Sequence, residues 1–130
     1  MLTSSLSELW AKSGLVWLLA TMSFGMYLGM SGQFGMSSAH AHAGLLGGVL
    51  GIALSYLFSR PAGDTRIGAG FVQWLIYNLA VATQATGLWF VINGNLAFVP
   101  MIVIGGSVLV LTLLWIALTI WPKLRRPPTV

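Results

Sequence analysis

The chain has 130 residues, of which 57% are hydrophobic and 6% are charged, and its formal net charge is +4. A soluble domain carries about 25% charged residues, so this composition excludes an ordinary soluble domain and indicates a membrane protein. The lack of cysteine excludes disulfides, thiolate metal sites and a cysteine nucleophile. The basic residues lie at the ends of apolar segments, which is typical of membrane topology and not of nucleic-acid binding.

Four apolar segments are long enough to cross a lipid bilayer, which requires roughly 20 apolar residues in a helix. Backbone groups in lipid must form their hydrogen bonds within the segment, so we predict helices for all four. The predicted fold is an all-α integral membrane four-helix bundle that forms one domain over residues 1–130. The predicted spans are 9–32, 38–59, 67–92 and 98–121.

The charged residues predict the orientation of the spans. Positive charges lie at the start of the first span, in the middle connection and after the fourth span, whereas the connections 33–37 and 93–96 carry none. The positive-inside rule then places both termini and the middle connection in the cytoplasm. We predict a multi-pass protein of the bacterial inner membrane.

The first span carries Met22, Met26 and Met30 at intervals of four, so the three thioethers share one helical face. Such a stripe serves as adaptable packing against a neighbouring helix. It is also able to wall an apolar ligand or to supply a thioether ligand to a haem iron.

The second span opens with the only histidines of the chain, His40 and His42, in the sequence AHAHAG. Residues two apart on an α-helix are separated by roughly 200°, so both rings cannot bind one metal ion from a regular helix. The spacing fits one axial ligand to a haem, ligands to two different groups, or a histidine pair that anchors the helix. The small residues around the rings, including Gly44 and Gly48, suit either a flat porphyrin or a closely packed helix.

The third span is the most polar, and its Gln73, Tyr77 and Gln84 lie near one face. Polar groups at this depth commonly form hydrogen bonds between helices. Folding the predicted spans back on one another places Gln84 near the level of His42.

The same folding brings Tyr27 and Met30 of the first span to a similar depth. Trp89 lies just outside this layer, either as a pocket wall or as part of the interfacial aromatic belt. We therefore predict a ligand site in the outer third of the bundle, lined by histidine, glutamine, tyrosine and small residues.

Three sequence features together resemble the styrene oxide isomerases, which are small four-helix membrane proteins. The features are Ala41-His42-Ala43-Gly44 in the second span, Gly87-Leu88-Trp89 in the third and Gly105-Gly106 in the fourth. The resemblance implies a homotrimer that binds haem b at subunit interfaces, with His42 as the axial ligand. It also implies that the iron acts as a Lewis acid that rearranges an epoxide to an aldehyde. The chain has Gly48 where the family has asparagine, and Trp89 where the family has tyrosine.

Three functions follow from these residues. The first is a haem-dependent isomerase or lyase that acts on a small apolar oxygenated substrate. The second is a membrane haem protein for electron transfer or diatomic gas binding, with His40 or Met30 as a possible second axial ligand. The third is a structural or transport bundle without a cofactor.

Overall fold

Four long helices form the protein in the computed structural model, which describes residues 2–59 and 67–124. Helix α1 comprises Leu2–Ser31, α2 residues 37–59, α3 Ile67–Ile92 and α4 Val99–Leu124. The segments long and apolar enough to cross a membrane are Leu6–Ser31, Phe34–Ser59, Gly68–Ile92 and Leu96–Pro122. The prediction of an all-helical protein with four helices able to span a membrane is therefore confirmed.

The charged residues that predict the orientation lie largely outside this description. Arg60 and Arg66 of the middle connection, and Arg125 and Arg126 of the C-terminal tail, are not among the described residues. The cytoplasmic placement of both termini therefore stays a prediction.

Helix α1 begins well before residue 9, the predicted start of the first span. Glu8 and Lys12 lie one turn apart on α1, and their charged atoms are 3.7 Å apart. An ion pair at this spacing supports helix formation, so the polar N-terminal residues continue the helix.

Helix α2 changes its hydrogen-bonding pattern along its length. An α-helical opening, Ser37–His42, is followed by a π-helical stretch, Ala43–Val49, and by an α-helical end, Leu50–Ser59. Small buried residues recur at every fourth position through this region, namely Ala39, Ala43, Gly47 and Gly51. In a regular α-helix a step of four residues rotates by about 40° beyond a full turn. The wider π turn offsets this drift and keeps all four residues on the buried side.

Helices α1 and α2 approach each other closely because glycines lie at their contact. A Cβ atom on Gly51 would lie 3.3 Å from the Cα atom of Gly14. A Cβ atom on Gly47 would lie 2.5 Å from the Trp17 ring. Any larger residue at these positions would push the two helices apart.

The two short connections have the same construction. Helix α1 is followed by Gly32 at φ +68° and α3 by Gly94 at φ +88°. The next amide donates to the carbonyl five residues earlier, at 3.1 Å after α1 and at 2.9 Å after α3. This is the Schellman pattern of a helix end. A single 3₁₀ turn follows in each case, Phe34–Met36 or Leu96–Phe98. The described chain is thus two similar antiparallel hairpins, α1–α2 and α3–α4.

An aromatic cluster joins α1, α2 and α3. Trp10 stacks on Phe58 with ring centroids 5.6 Å apart and meets the edge of Tyr77 at 5.0 Å. All three side chains are fully buried. The Tyr77 hydroxyl donates a hydrogen bond to the Leu46 carbonyl, which belongs to the π-helical stretch. Tyr77 therefore satisfies a backbone acceptor at the point where α2 departs from regular helix.

Polar side chains connect α1 and α3 directly. The Trp17 indole donates to Asn78 Oδ1 at 2.9 Å, and the Trp74 indole donates to Ser13 Oγ at 3.0 Å. In lipid each such bond replaces an unsatisfied polar group, so these pairs fix the relative position of the two helices.

Helix α4 packs chiefly on α3. A Cβ atom on Gly105 would lie 2.7 Å from the backbone nitrogen of Gln84 and 3.0 Å from the Ala80 carbonyl oxygen. Near the C-terminal end of α3, a Cβ atom on Gly87 would lie 3.0 Å from the Ile102 side chain. The second hairpin is thus also held together at glycines.

The hydroxyl of Tyr77 supports the π-helical stretch. We expect Tyr77→Phe to lower the free energy of unfolding by about 1–3 kcal/mol, because the Leu46 carbonyl loses its side-chain donor. Tyr27→Phe is the control, since Tyr27 is 55% exposed. Thermal unfolding of the detergent-solubilised protein measures both, and equal stability of the two variants would contradict this role.

A second test concerns the contact between α3 and α4. We expect Gly105→Ala to destabilise the protein by about 1–3 kcal/mol, because the added methyl group meets backbone atoms that cannot rotate away. Gly29→Ala is the matched control, because nothing lies within 4 Å of its added Cβ. That variant should be neutral or stabilised by up to about 1 kcal/mol, since alanine is the better helix former. Unfolding curves in the same detergent give both values, and a neutral Gly105→Ala would show that the helices are not in close contact.

Candidate functional site

The two histidines lie in the α-helical opening of α2 and point to different sides of the helix. His40 is partly buried against α1, and a Cβ atom on Gly25 would lie 2.7 Å from its Cε1 atom. His42 is exposed. The two rings therefore have different surroundings, as their angular separation of roughly 200° requires.

His42 has one ring nitrogen engaged and one available. Its Nδ1 atom lies 2.9 Å from the Ser38 carbonyl oxygen. A carbonyl accepts only, so Nδ1 carries the hydrogen and Nε2 keeps its lone pair. Histidines that bind metals are commonly oriented by such a bond from the other ring nitrogen to a backbone carbonyl. In the neutral ring, Nε2 is therefore the nitrogen that is able to bind a group outside the helix.

The depth of His42 makes its exposure costly. His42 lies eight residues into the Phe34–Ser59 segment, which is about 12 Å along a helix. A polar ring that faces lipid at this depth is unfavourable unless it has a partner. A ligand or a neighbouring protein surface would supply such a partner.

His40 borders a groove of about 370 Å³ between α1 and the start of α2. We call it the His40 groove; its lining includes Met22, Gly25, Met26, Gly29, Gln33 and His40. The Nδ1 atom of His40 is buried and has no hydrogen-bond partner among the described residues. This groove thus contains one imidazole and two thioethers.

A second groove of about 360 Å³ lies between α1, α2 and α3. We call it the aromatic groove; its walls are Trp17, Phe24 and Trp89, and alanines of α2 and α3 also line it. The Phe24 ring lies 5.1 Å from Trp89 and 6.5 Å from His40. Thr86 adds a hydroxyl group to an otherwise mostly apolar lining. The aromatic groove suits a flat apolar molecule.

The candidate residues Tyr27 and Met30 lie on the outside of the molecule. Their side chains are 55% and 87% exposed, and neither residue lines the two grooves. Gly44 lies against Thr21, whose Oγ1 atom would be 3.3 Å from an added Cβ. Gly48 lies against Leu18. Both glycines are thus covered by α1. They serve close helix packing, which is one of the two uses that the sequence suggests for small residues beside the histidines.

Gln84 does not join the histidines. Its Nε2 atom would be 3.4 Å from a Cβ atom on Gly106, so the side chain faces α4. Its Oε1 atom is buried without a hydrogen-bond partner in the described part of the chain. Trp89 does come near the histidine layer, through Phe24.

Three features of the site are absent from the sequence-based prediction. They are the orienting carbonyl of Ser38, the place of Phe24 between Trp89 and His40, and the π-helical stretch that follows His42. Small residues recur strictly at every fourth position from Ala39 to Gly51. This recurrence is the sequence signal for the π-helical stretch.

The ligand chemistry of the site is that of a single imidazole together with thioethers. Within residues 2–59 and 67–124, no three side chains of histidine, cysteine, aspartate or glutamate cluster to hold a metal ion. At His42 the available donor is one imidazole nitrogen, whereas at His40 an imidazole lines the same groove as two thioethers.

The chain was compared with protein-family models, with curated proteins and with solved structures. None of the three comparisons found a match. The function is therefore argued from His42 and from the residues of the two grooves.

Proposed function

We propose that the protein is an integral membrane haem b protein in which His42 supplies the axial ligand. The observation that carries this proposal is the exposed His42 ring, whose Nδ1 atom is bound to the Ser38 carbonyl at 2.9 Å within a segment long and apolar enough to span a membrane. We place the protein in the bacterial inner membrane with both termini in the cytoplasm, as the charge distribution predicts.

The surface around His42 fits a porphyrin. Ser38 and Ala41 beside the ring are small and exposed, and Leu45 and Val49 extend the exposed apolar surface along α2. A flat ring system is able to lie on such a surface in van der Waals contact with it. The histidine would hold the iron, and the small side chains would leave room for the macrocycle.

The open side of this surface leads us to propose a homo-oligomer, with a trimer as the expected state. A haem on the outside of α2 would otherwise face lipid over its whole outer surface. A second copy of the chain would cover the haem and would also complete the surroundings of the polar His42 ring. The haem would then lie between subunits.

The proposed activity is the rearrangement of a small apolar epoxide to a carbonyl compound, as in the styrene oxide isomerases that the chain resembles. A haem iron with one protein ligand supplies a Lewis acid for an oxygen atom. His42 would hold the iron with its Nε2 atom, and the Ser38 carbonyl would keep the ring in the required tautomer. The aromatic groove would take the apolar part of the substrate.

A second candidate is a haem protein for electron transfer or diatomic gas binding. The position of Met30 favours it, because this thioether is 87% exposed and free to reach a group held by a neighbouring copy. A six-coordinate iron would support this second function, whereas a five-coordinate iron supports the isomerase. A bundle without a cofactor is the third possibility, and colourless protein would support it.

Absorption spectra of the purified protein test the ligand assignment. We expect a Soret band in the ferric and ferrous protein that is lost in His42→Ala, because the only proposed iron ligand is removed. Added imidazole should restore it, since the free ring is able to replace the missing ligand. His40→Ala is the matched control and should keep the band. A folded but colourless wild-type protein would refute haem binding, and a band retained in both variants would refute the assignment.

Turnover of styrene oxide as a probe substrate tests the proposed reaction. We expect the haem-loaded protein to form phenylacetaldehyde and His42→Ala to lose this activity together with its pigment. Replacement of Trp89 by alanine should raise KM more than it lowers kcat, because it removes a wall of the aromatic groove and leaves the iron in place. A pigmented protein without turnover would favour the electron-transfer or gas-binding function.

A further inference from the structure

We infer that the His40 groove is a copper(I) site whose ligands are the thioethers of Met22 and Met26 and the imidazole of His40. The inference goes beyond the proposed haem function, because it uses the other histidine and a different face of α2. It would stand even if the protein binds no haem.

The glycine at position 25 lets the His40 ring pack against α1 next to the groove that Met22 and Met26 also line. The His40 ring lies directly on α1 there, because a Cβ atom on Gly25 would be 2.7 Å from Cε1 and 3.1 Å from Nε2. Met22 precedes Gly25 by three residues and Met26 follows it by one. At about 100° per residue, both methionines point to the same side of α1, within about 40° of each other. All three side chains line one groove.

The two methionines are not used to fill the core. Their side chains are 65% and 70% exposed, although methionine is ordinarily placed to fill gaps in packing. The groove of about 370 Å³ in front of them leaves the flexible thioethers free to converge on an ion. Their exposure leaves both thioethers accessible to an ion in the groove.

The His40 ring has an unused polar atom at this place. Its Nδ1 atom is buried, and no described residue forms a hydrogen bond with it. A buried polar atom without a partner is unfavourable, so such atoms call for an explanation. No described residue therefore holds the imidazole by a hydrogen bond at Nδ1 that would compete with an ion for the ring.

The donor types select the ion. Thioethers are soft ligands that favour copper(I), and imidazole also binds copper. The residues that line the His40 groove include no carboxylate, which is the ligand that calcium and magnesium prefer. A set of two thioethers and one imidazole therefore points to copper(I) rather than to a hard cation.

The test is an anaerobic titration of the purified full-length protein with copper(I) in competition with a chromophoric copper(I) chelator. We expect one copper(I) ion per chain. The double variant M22L/M26L and the variant His40→Ala should each weaken binding at least about tenfold, since removal of even an indirect contact to a bound metal has effects of this size. X-ray absorption of the loaded protein should show sulfur and nitrogen neighbours.

Two variants serve as matched controls. Met30→Leu alters the third methionine of the same stripe, which does not line the groove, and should leave copper affinity unchanged. His42→Ala should also retain copper while it loses the proposed haem, so the two proposals fail separately.

Methionine-to-leucine exchanges nearly conserve volume, so M22L/M26L keeps the test decisive if His40→Ala does not fold. Copper that remains with the chelator, or equal affinities of wild type and M22L/M26L, would overturn the inference.

Discussion

The close approach of α1 and α2 is the constraint on which the site depends. Small residues at the contact let the two backbones meet, and Gly51 lies so near Gly14 that even one methyl group would touch the opposing main chain. The π-helical stretch keeps this contact continuous, because it holds small residues on the buried side of α2. The same contact decides the surroundings of the histidines: with α1 lying against His40, the ring of His42 is left on the outside.

Much of the fold follows from composition and length. Four apolar segments and few charges suffice to predict four membrane helices, because lipid leaves the backbone no alternative to internal hydrogen bonds. Helix α1 begins at Leu2, before the predicted membrane span that starts at residue 9, and Glu8 pairs with Lys12 within it. The π-helical stretch was not predicted, since it depends on the packing of α1 and on a hydroxyl group from Tyr77 that is distant in sequence.

The site was less accessible to sequence reasoning than the fold. The spacing of two between His40 and His42 predicts that the rings diverge, but it contains no information on which ring faces the bundle. That depends on Gly25, which accepts the His40 ring on α1. Gln84 was expected near the histidines from its depth alone, yet depth does not determine direction around a helix, and its side chain faces α4.

The matching connections after α1 and α3 imply that the two hairpins are equivalent scaffolds. In each hairpin a glycine lies seven residues before the left-handed one, Gly25 before Gly32 and Gly87 before Gly94. Each of the earlier glycines receives a side chain from the returning helix, His40 in the first hairpin and Ile102 in the second. The equivalent glycine thus contacts an imidazole ring in the first hairpin and an aliphatic side chain in the second. At this position the two hairpins therefore differ in the side chain that contacts the glycine and not in the construction of the connection. The second hairpin shows the same construction without an imidazole.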